Sequence, residues 1–313
     1  MRKSFCFLIL LLILAPSVFA RRIPFSHLGR RFSLYVPKGN VSHRPLLVVL
    51  HGCKQSADLI LDGTMLEAEA EKRKFVILAP EQSNFYNIDH CWNWFLPINQ
   101  KRGQLNEMEQ IISGIERVAG ELNLDKDRIY ITGISAGGVM SHNLSVCYPD
   151  VFAGAAIHSG LAFKVAESVS EAQTVLTSYE QKSPSYLGVK AFECSGEARF
   201  HRLNKVLIIH GLSDSRVPSF HADLISKAQT VWRDFLDDGK NNNSTRPKIT
   251  TELDHYPNNY WVEKVTSDYT DFYEVRLMIK NLGHAWGGGK PVSVNFDPNA
   301  PSSNEFILDF FLL

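Results

Sequence analysis

The chain has 313 residues, 33 basic against 33 acidic side chains, and a hydrophobic content of 44%. A near-neutral protein gives no electrostatic case for binding nucleic acid or an anionic membrane surface. The length suits one large α/β domain with an ample core.

The first twenty residues stand apart from the rest. Arg2 and Lys3 lead, an apolar run from Phe5 to Ala15 follows, and Val18-Phe19-Ala20 closes it. This is the pattern of a secretory signal peptide over residues 1–20, with an apolar run too short to span a bilayer comfortably. Cys6 lies inside that run and not at the cleavage point, so it does not read as a lipid attachment site. The expectation is a secreted or periplasmic protein without a stable membrane anchor, its catalytic domain covering 21–313. Cys53, Cys91, Cys147 and Cys194 remain, an even number in an exported chain, which implies two disulfides with the pairing open. Their spacing does not resemble a zinc site, so no metal is expected.

The elements alternate along the chain. Phe32 to Val36 reads as an edge strand stopped by Pro37. Pro45 to Leu50 is a continuous apolar run, the mark of a strand buried on both faces. A helical pattern covers Ala57 to Lys74, and a second buried strand runs from Phe75 to Ala79. A loop rich in aromatics carries Phe85, Tyr86, Trp92, Trp94 and Phe95. Asn106 to Leu122 is an amphipathic helix, with Met108, Ile111, Ile112, Ile115 and Val118 on one side. The strand Ile129-Tyr130-Ile131 then enters Gly133-Ile134-Ser135-Ala136-Gly137-Gly138, and Val139 to Leu144 continues as a helix. Phe152 to Ile157 and Val206 to Ile209 are buried strands. Between them, about 161–203 lacks a clean period and reads as a partly helical insertion, a candidate lid. His221 to Leu236 is helical, and Gly239 to Pro247 is a polar surface loop. Tyr260 to Val265 and Phe272 to Ile279 read as a hairpin at the sheet's far edge, and Glu305 to Phe311 as a closing helix. Strands alternating with helices predict a mostly parallel sheet covered on both faces, with function in the loops at the strands' carboxyl ends.

The G-x-S-x-G turn sets Ser135 between a strand and a helix, in a strained conformation that small neighbours permit. A small-residue turn packing a helix on a sheet is the plainer alternative. As a nucleophile, a serine needs a base, and the base an orienting carboxylate, in the chain order Ser, Asp or Glu, His. Asp214 follows the strand that ends at His210, and His284 follows the later hairpin among glycines. Asp223 and Asp237 are rival carboxylates on the following helix. His158 and His210 also end strands and are rival bases, though they read first as buried, hydrogen-bonded histidines. The oxyanion donors expected on this plan are the backbone N–H of Ala136 and one from the turn His51-Gly52-Cys53, assigned to Cys53. Trp92, Trp94, Phe95 and Trp286 are candidates to line an apolar cleft, with core packing as the alternative.

Several segments together resemble the poly(3-hydroxybutyrate)-depolymerase-like esterases, a group that includes feruloyl and acetyl-xylan esterases. They are Leu50-His51-Gly52-Cys53-Lys54-Gln55, Pro80-Glu81-Gln82-Ser83, Cys91-Trp92-Asn93-Trp94-Phe95, the Ser135 turn, Ile157-His158-Ser159-Gly160 and Gly283-His284-Ala285-Trp286. The resemblance runs from about Arg31 to Gly289. It implies an α/β-hydrolase fold and a carboxylic-ester hydrolase without a cofactor, with Ser135 as nucleophile, Asp214 as acid and His284 as base. It also implies that Cys53 pairs with Cys91, and with that pair taken, Cys147 with Cys194. The turn Gly211-Leu212-Ser213-Asp214 departs from relatives that carry an earlier Asp, which leaves Asp214 as the acid there. The segments around 161–203 and 239–256 do not resemble any one member.

The expected function is therefore a secreted serine esterase acting through an acyl-enzyme on small or oligomeric esters, polyhydroxybutyrate-depolymerase-like. Alternatives are a feruloyl or acetyl-xylan esterase acting on plant polysaccharide esters, a serine peptidase of the same fold, and a catalytically silent binding protein.

Overall fold

The computed structural model describes residues 19–103, 105–178, 181–196, 204–242, 247–254, 260–267 and 273–311. The leader expected over 1–20 lies, apart from Phe19 and Ala20, outside the described residues. β1 (Arg21–His27) and β2 (Arg30–Val36) form an antiparallel hairpin, and β2 also pairs antiparallel with β4 (Val76–Pro80). β3 (Leu46–Leu50), β5 (Ile129–Ile134), β6 (Gly154–His158), β7 (Lys205–Gly211) and β10 (Tyr273–Ile279) join β4 in a parallel core. β8 (Pro247–Asp254) and β9 (Tyr260–Ser267) extend the far side as antiparallel strands. The order across the ten strands is β1-β2-β4-β3-β5-β6-β7-β10-β9-β8.

Helices cover both faces. α1 (Ala57–Thr64), α2 (Leu66–Arg73) and α8 (Ser303–Phe311) close one face, over an apolar cluster that includes Leu47, Val49, Ile77, Leu207 and Phe311. On the other face, α3 (Glu107–Glu121), α4 (Ala136–Cys147), α6 (Pro184–Ser195) and α7 (Phe220–Asp238) pack over Leu46, Val48, Val76, Ile131 and Ile208. β3 is buried along its whole length, as its unbroken apolar run demands. Every residue of α4 is buried, as befits a helix at the middle of the sheet.

Two readings are corrected and two are refined. Phe32–Val36 is not an edge strand: β1 lies outside it, and Pro24, which lacks a backbone donor, is tolerated there because β1 has a free side. The helical pattern over 57–74 breaks at Met65, in the left-handed region at φ 59°. Beyond the loop expected over 239–247, a stretch that carried no assignment contributes β8 as a further antiparallel strand. The described part of the 161–203 segment starts as core and, as expected, is partly helical. Leu161, Ala162, Phe163, Val165 and Ala166 are buried, and short α5 (Val169–Thr174) and α6 follow them. Residues 179–180 and 197–203 of that segment lie outside the described residues.

Candidate active site

The chain runs from β3 outward to β4, then returns past β3 to β5. The loops after β3 and β5 thus diverge at the carboxyl edge, where open α/β sheets form crevices. Ser135 occupies that point, between β5 and α4, at φ 60° and ψ −128°. Only tight packing holds a non-glycine residue in such a conformation. The Ser135 N–H donates to the His158 carbonyl at 3.0 Å, and its carbonyl accepts from Val139 N at 2.9 Å. The flanking glycines are required by close approach: a Cβ on Gly137 would lie 2.5 Å from the His51 carbonyl oxygen, and one on Gly138 2.5 Å from that of His158.

The turn after β3 lies against the serine, since a Cβ on Gly52 would sit 3.3 Å from Ser135 Cβ. Three backbone donors in and after this turn are engaged. Gly52 N–H donates to Gln55 Oε1 at 2.7 Å, Lys54 N–H to Asp89 O at 2.7 Å, and Gln55 N–H to Gly52 O at 3.3 Å. Among the described residues the N–H groups of Cys53 and Ala136 have no acceptor. The turn is fixed from three sides: by the Cys53–Cys91 disulfide, by the Trp92 indole N–H donating to the His51 carbonyl at 2.9 Å, and by His51 against the Gly52 carbonyl at 2.8 Å.

Asp214 and His284 arrive from two loops stapled together. Leu212 N–H donates to Ile279 O at 2.9 Å and Ser213 N–H to Leu282 O at 3.1 Å. A side chain on Gly211 would collide with the Leu282 carbonyl, so glycine alone permits this approach. His284 Nδ1 donates to Asp214 Oδ2 at 2.7 Å. Asp214 Oδ1 accepts from the N–H groups of Arg216 and Val217 at 2.9 and 2.8 Å. Burial acts to raise the Asp214 carboxyl, but the hydrogen bond and charge of His284, helped by the Val217 N–H, outweigh it and hold the group below the ordinary aspartate value. His158 lies between the two parts of the site: its carbonyl holds Ser135, and its ring stacks on Trp286, two residues after His284. The Ser135 hydroxyl itself has no hydrogen-bond partner among the described residues, a common state before substrate binds.

The profile of the family described as Esterase PHB depolymerase matches residues 30–249. The chain belongs to that family. A poly(3-hydroxyalkanoate) depolymerase C of Paucimonas lemoignei is 35% identical over 184 residues, 58% of this chain and 44% of that protein. This chain thus spans less than half the length of that depolymerase. A feruloyl esterase B of Thermothelomyces thermophilus is 27% identical over 243 residues, covering 76% of this chain and 78% of its own. Among solved structures, an acetyl xylan esterase from Aspergillus awamori superposes with a TM-score of 0.72 at 16% identity, over 93% of this chain and 98% of that one. That last likeness establishes the α/β-hydrolase fold.

For this PHB depolymerase family member the rival site residues are placed elsewhere. Asp223 and Asp237 fall within α7, and the Asp223 carboxylate pairs with Lys227 at 2.6 Å and Arg276 at 3.0 Å. His210 is fully buried, with Nε2 donating to Val217 O at 2.8 Å, so it pins the loop that carries Asp214. His158 is fully buried, stacked on Trp286 at 5.2 Å, and pushed down to about 3 by burial and by His210 and His284. The cleft reading is corrected for Trp92 and Trp286. Both are 0% exposed, with indole N–H groups committed to His51 O and Asn304 Oδ1 respectively, so neither presents a surface to a substrate. Trp94 is 7% exposed and packs edge-on against the half-buried Phe95. The apolar side chains that the aromatic loop does expose are Phe85 and Ile88, each 87% exposed.

The structure also joins Cys147 to Cys194, 47 residues apart, at the end of α4 remote from Ser135. Sequence reasoning missed the buried polar group behind the turn His51-Gly52-Cys53: Arg30, Gln82, Asn93 and Glu107. Its one visible sign is a Glu directly after the helix-capping Asn106, where a carboxylate reads as an ordinary first-turn acid.

Proposed function

We propose that this protein is an exported serine esterase, with a signal peptide over 1–20 and a single catalytic domain over 21–313, which hydrolyses carboxylic esters of polyhydroxyalkanoate type through an acyl-enzyme. Ser135 attacks the ester carbonyl while His284 Nε2 takes its proton and returns it to the leaving alcohol. Asp214 keeps the imidazole proton on Nδ1 and stabilises the imidazolium. The N–H groups of Cys53 and Ala136 receive the oxyanion. Water then repeats the sequence on the acyl-enzyme, releasing the acid and restoring Ser135.

The observation that carries this reading is the pair of unengaged N–H groups, Cys53 and Ala136, flanking a serine held at φ 60°. An N–H at a helix start and one from a neighbouring turn, both without a protein acceptor, are what an oxyanion site requires. The Asp214–His284 hydrogen bond supports it. Two disulfides support export into an oxidising compartment. A second substrate reading, aromatic or acetyl esters of plant polysaccharides, is favoured by the match to feruloyl esterase B, which runs further along both chains than the match to the depolymerase.

The test is turnover of p-nitrophenyl acetate and butyrate, methyl ferulate, acetylated xylan and 3-hydroxybutyrate oligomers, with a Ser135→Ala control. Hydrolysis of at least one ester is expected, falling by about 10⁶ in kcat in the control. Preference between the oligomers and methyl ferulate decides between the two substrate readings. Equal turnover by the Ser135→Ala control would overturn the mechanism.

A further inference from the structure

Glu107 is 6% exposed, at the first position of α3, and no step above uses it. A buried carboxylate is costly without partners. Here it accepts from Gln82 Nε2 at 2.7 Å, Asn93 Nδ2 at 2.6 Å and the Asn93 backbone N–H at 2.9 Å. The helix N-terminus adds a favourable dipole. On the opposite side, Arg30, 1% exposed, donates to Gln82 Oε1 at 2.9 Å. The Gln82 carboxamide is therefore held between a buried cation and a buried anion, oxygen toward Arg30 and amide toward Glu107, and only one orientation satisfies both.

Fixing Gln82 also fixes its backbone. The Gln82 N–H donates to His51 Nε2 at 3.0 Å. A nitrogen that accepts carries no proton, so the proton of the neutral His51 ring is on Nδ1, which donates to the Gly52 carbonyl at 2.8 Å. Burial pushes His51 down to about 4, which keeps the ring neutral near neutral pH. In a planar trans peptide the carbonyl and the following N–H point in opposite directions. With the Gly52 carbonyl turned to His51, the Cys53 N–H is turned away from it, free of any protein acceptor among the described residues.

We propose that Glu107 is a positioning residue for ester hydrolysis, setting the Cys53 N–H through Gln82 and His51. This rests on the oxyanion role given to that N–H above. Arg30 and Glu107 hold the amide from its two ends, Gln82 passes the constraint to His51, and His51 orients the peptide. The consequence is a loss in turnover, not in ground-state binding, when the relay is broken.

Glu107→Gln and Gln82→Met are compared with the unaltered protein on p-nitrophenyl butyrate, with sites counted by fluorophosphonate labelling of Ser135. Both are expected to lower kcat per labelled site about tenfold with KM changed less than about twofold, short of the 10²–10³ that follows outright loss of an oxyanion donor. Joining Glu107→Gln with Gln82→Glu puts the carboxylate on the Arg30 side and the amide on the other, and should recover part of the lost kcat. Nitrogen–proton NMR should report a His51 Nδ1–H tautomer in the unaltered protein and a mixture in Glu107→Gln. If the single variants lower Tm but keep kcat per site and the His51 tautomer, Glu107 is structural only and the proposal is overturned. Should Glu107→Gln fail to fold, Gln82→Met decides by the same two readouts. An unaltered protein without esterase turnover would defeat the functional reading, and the His51 tautomer would then decide the relay alone.

Discussion

The two halves of the candidate site are built differently. The half around Ser135 is rigid by construction. A disulfide, an indole hydrogen bond, close-packed glycines and a buried cation–anion pair bear on the turn His51-Gly52-Cys53 and on the elbow. The half that carries Asp214 and His284 hangs on two loops, held by a few backbone hydrogen bonds, the Gly211 approach and the buried His210. In the proposed mechanism the first half must place N–H dipoles at a fixed point, where an error of a fraction of an ångström is costly. The second needs one good hydrogen bond, and a carboxylate with an imidazole supplies most of its own geometry. The difference predicts which changes harm turnover and which harm only stability.

The largest expected effect is at the junction of the second half. Asp214→Asn keeps an oxygen for the Arg216 and Val217 N–H groups but turns an amide toward His284 Nδ1. The imidazole proton must then move to Nε2, where the ring cannot accept the serine proton. A fall in kcat of about 10⁴ is expected, with Tm little changed. Steady-state kinetics on the preferred ester checks it, and near-normal turnover would mean that another carboxylate serves.

Next is a contrast between the disulfides. They close loops of 38 and 47 residues, so the chain-entropy model gives each about 4 kcal/mol of stability. Cys53→Ser with Cys91→Ser, and Cys147→Ser with Cys194→Ser, should therefore lower stability by similar amounts in denaturant titrations. Only the first pair adjoins the turn His51-Gly52-Cys53, and only its removal should lower kcat, by about tenfold or more, a displacement effect of the kind expected from a misplaced donor. Equal kcat losses would break the distinction between the halves.

The legibility of the molecule followed the same division. The parallel core was readable because doubly buried strands are unbroken apolar runs, and the elbow because its glycines have a steric cause. That Asp214 and His284 would meet was readable by chain order, since each follows a strand that ends at the same edge of the sheet. What failed were features set by tertiary pairing. β1 carries Pro24 and two arginines, and becomes a strand because β2 offers it a partner. Met65 breaks a continuous helical pattern by taking a left-handed conformation that the sequence does not advertise. Trp92 and Trp286 looked like cleft residues because aromatic side chains near a nucleophile serve either purpose. Burial alone separates the two uses, and in both the indole N–H is spent on the protein. Glu107 was hidden for the opposite reason: its surroundings in sequence are those of a solvated helix start.

The smallest effect, taken per group, is in acid. His51, His142 and His221 are each held near about 4, and His158 near about 3, with burial as the largest cause in every one. Their folded-state values lie below the ordinary 6.5. Between about pH 6.5 and 4 the unfolded chain therefore binds protons that the folded chain refuses. The stability they contribute is complete above about pH 6.5 and is lost as pH falls through that window, by up to about 1.4 kcal/mol per unit for each histidine. Asp214, whose carboxyl is depressed, adds its loss only below the ordinary carboxylate range, so the first drop belongs to the histidines. Calorimetry from pH 7.5 to 5 should show Tm falling, more steeply below 6.5, and His142→Asn should reduce that slope because it removes one such group away from both halves of the site. His51 adds a catalytic sign. A proton on Nε2 would face the Gln82 N–H instead of accepting from it, so in protein still folded at low pH the turn His51-Gly52-Cys53 should loosen and kcat should fall. A flat Tm down to pH 5 would mean that these rings take up protons without opening the core.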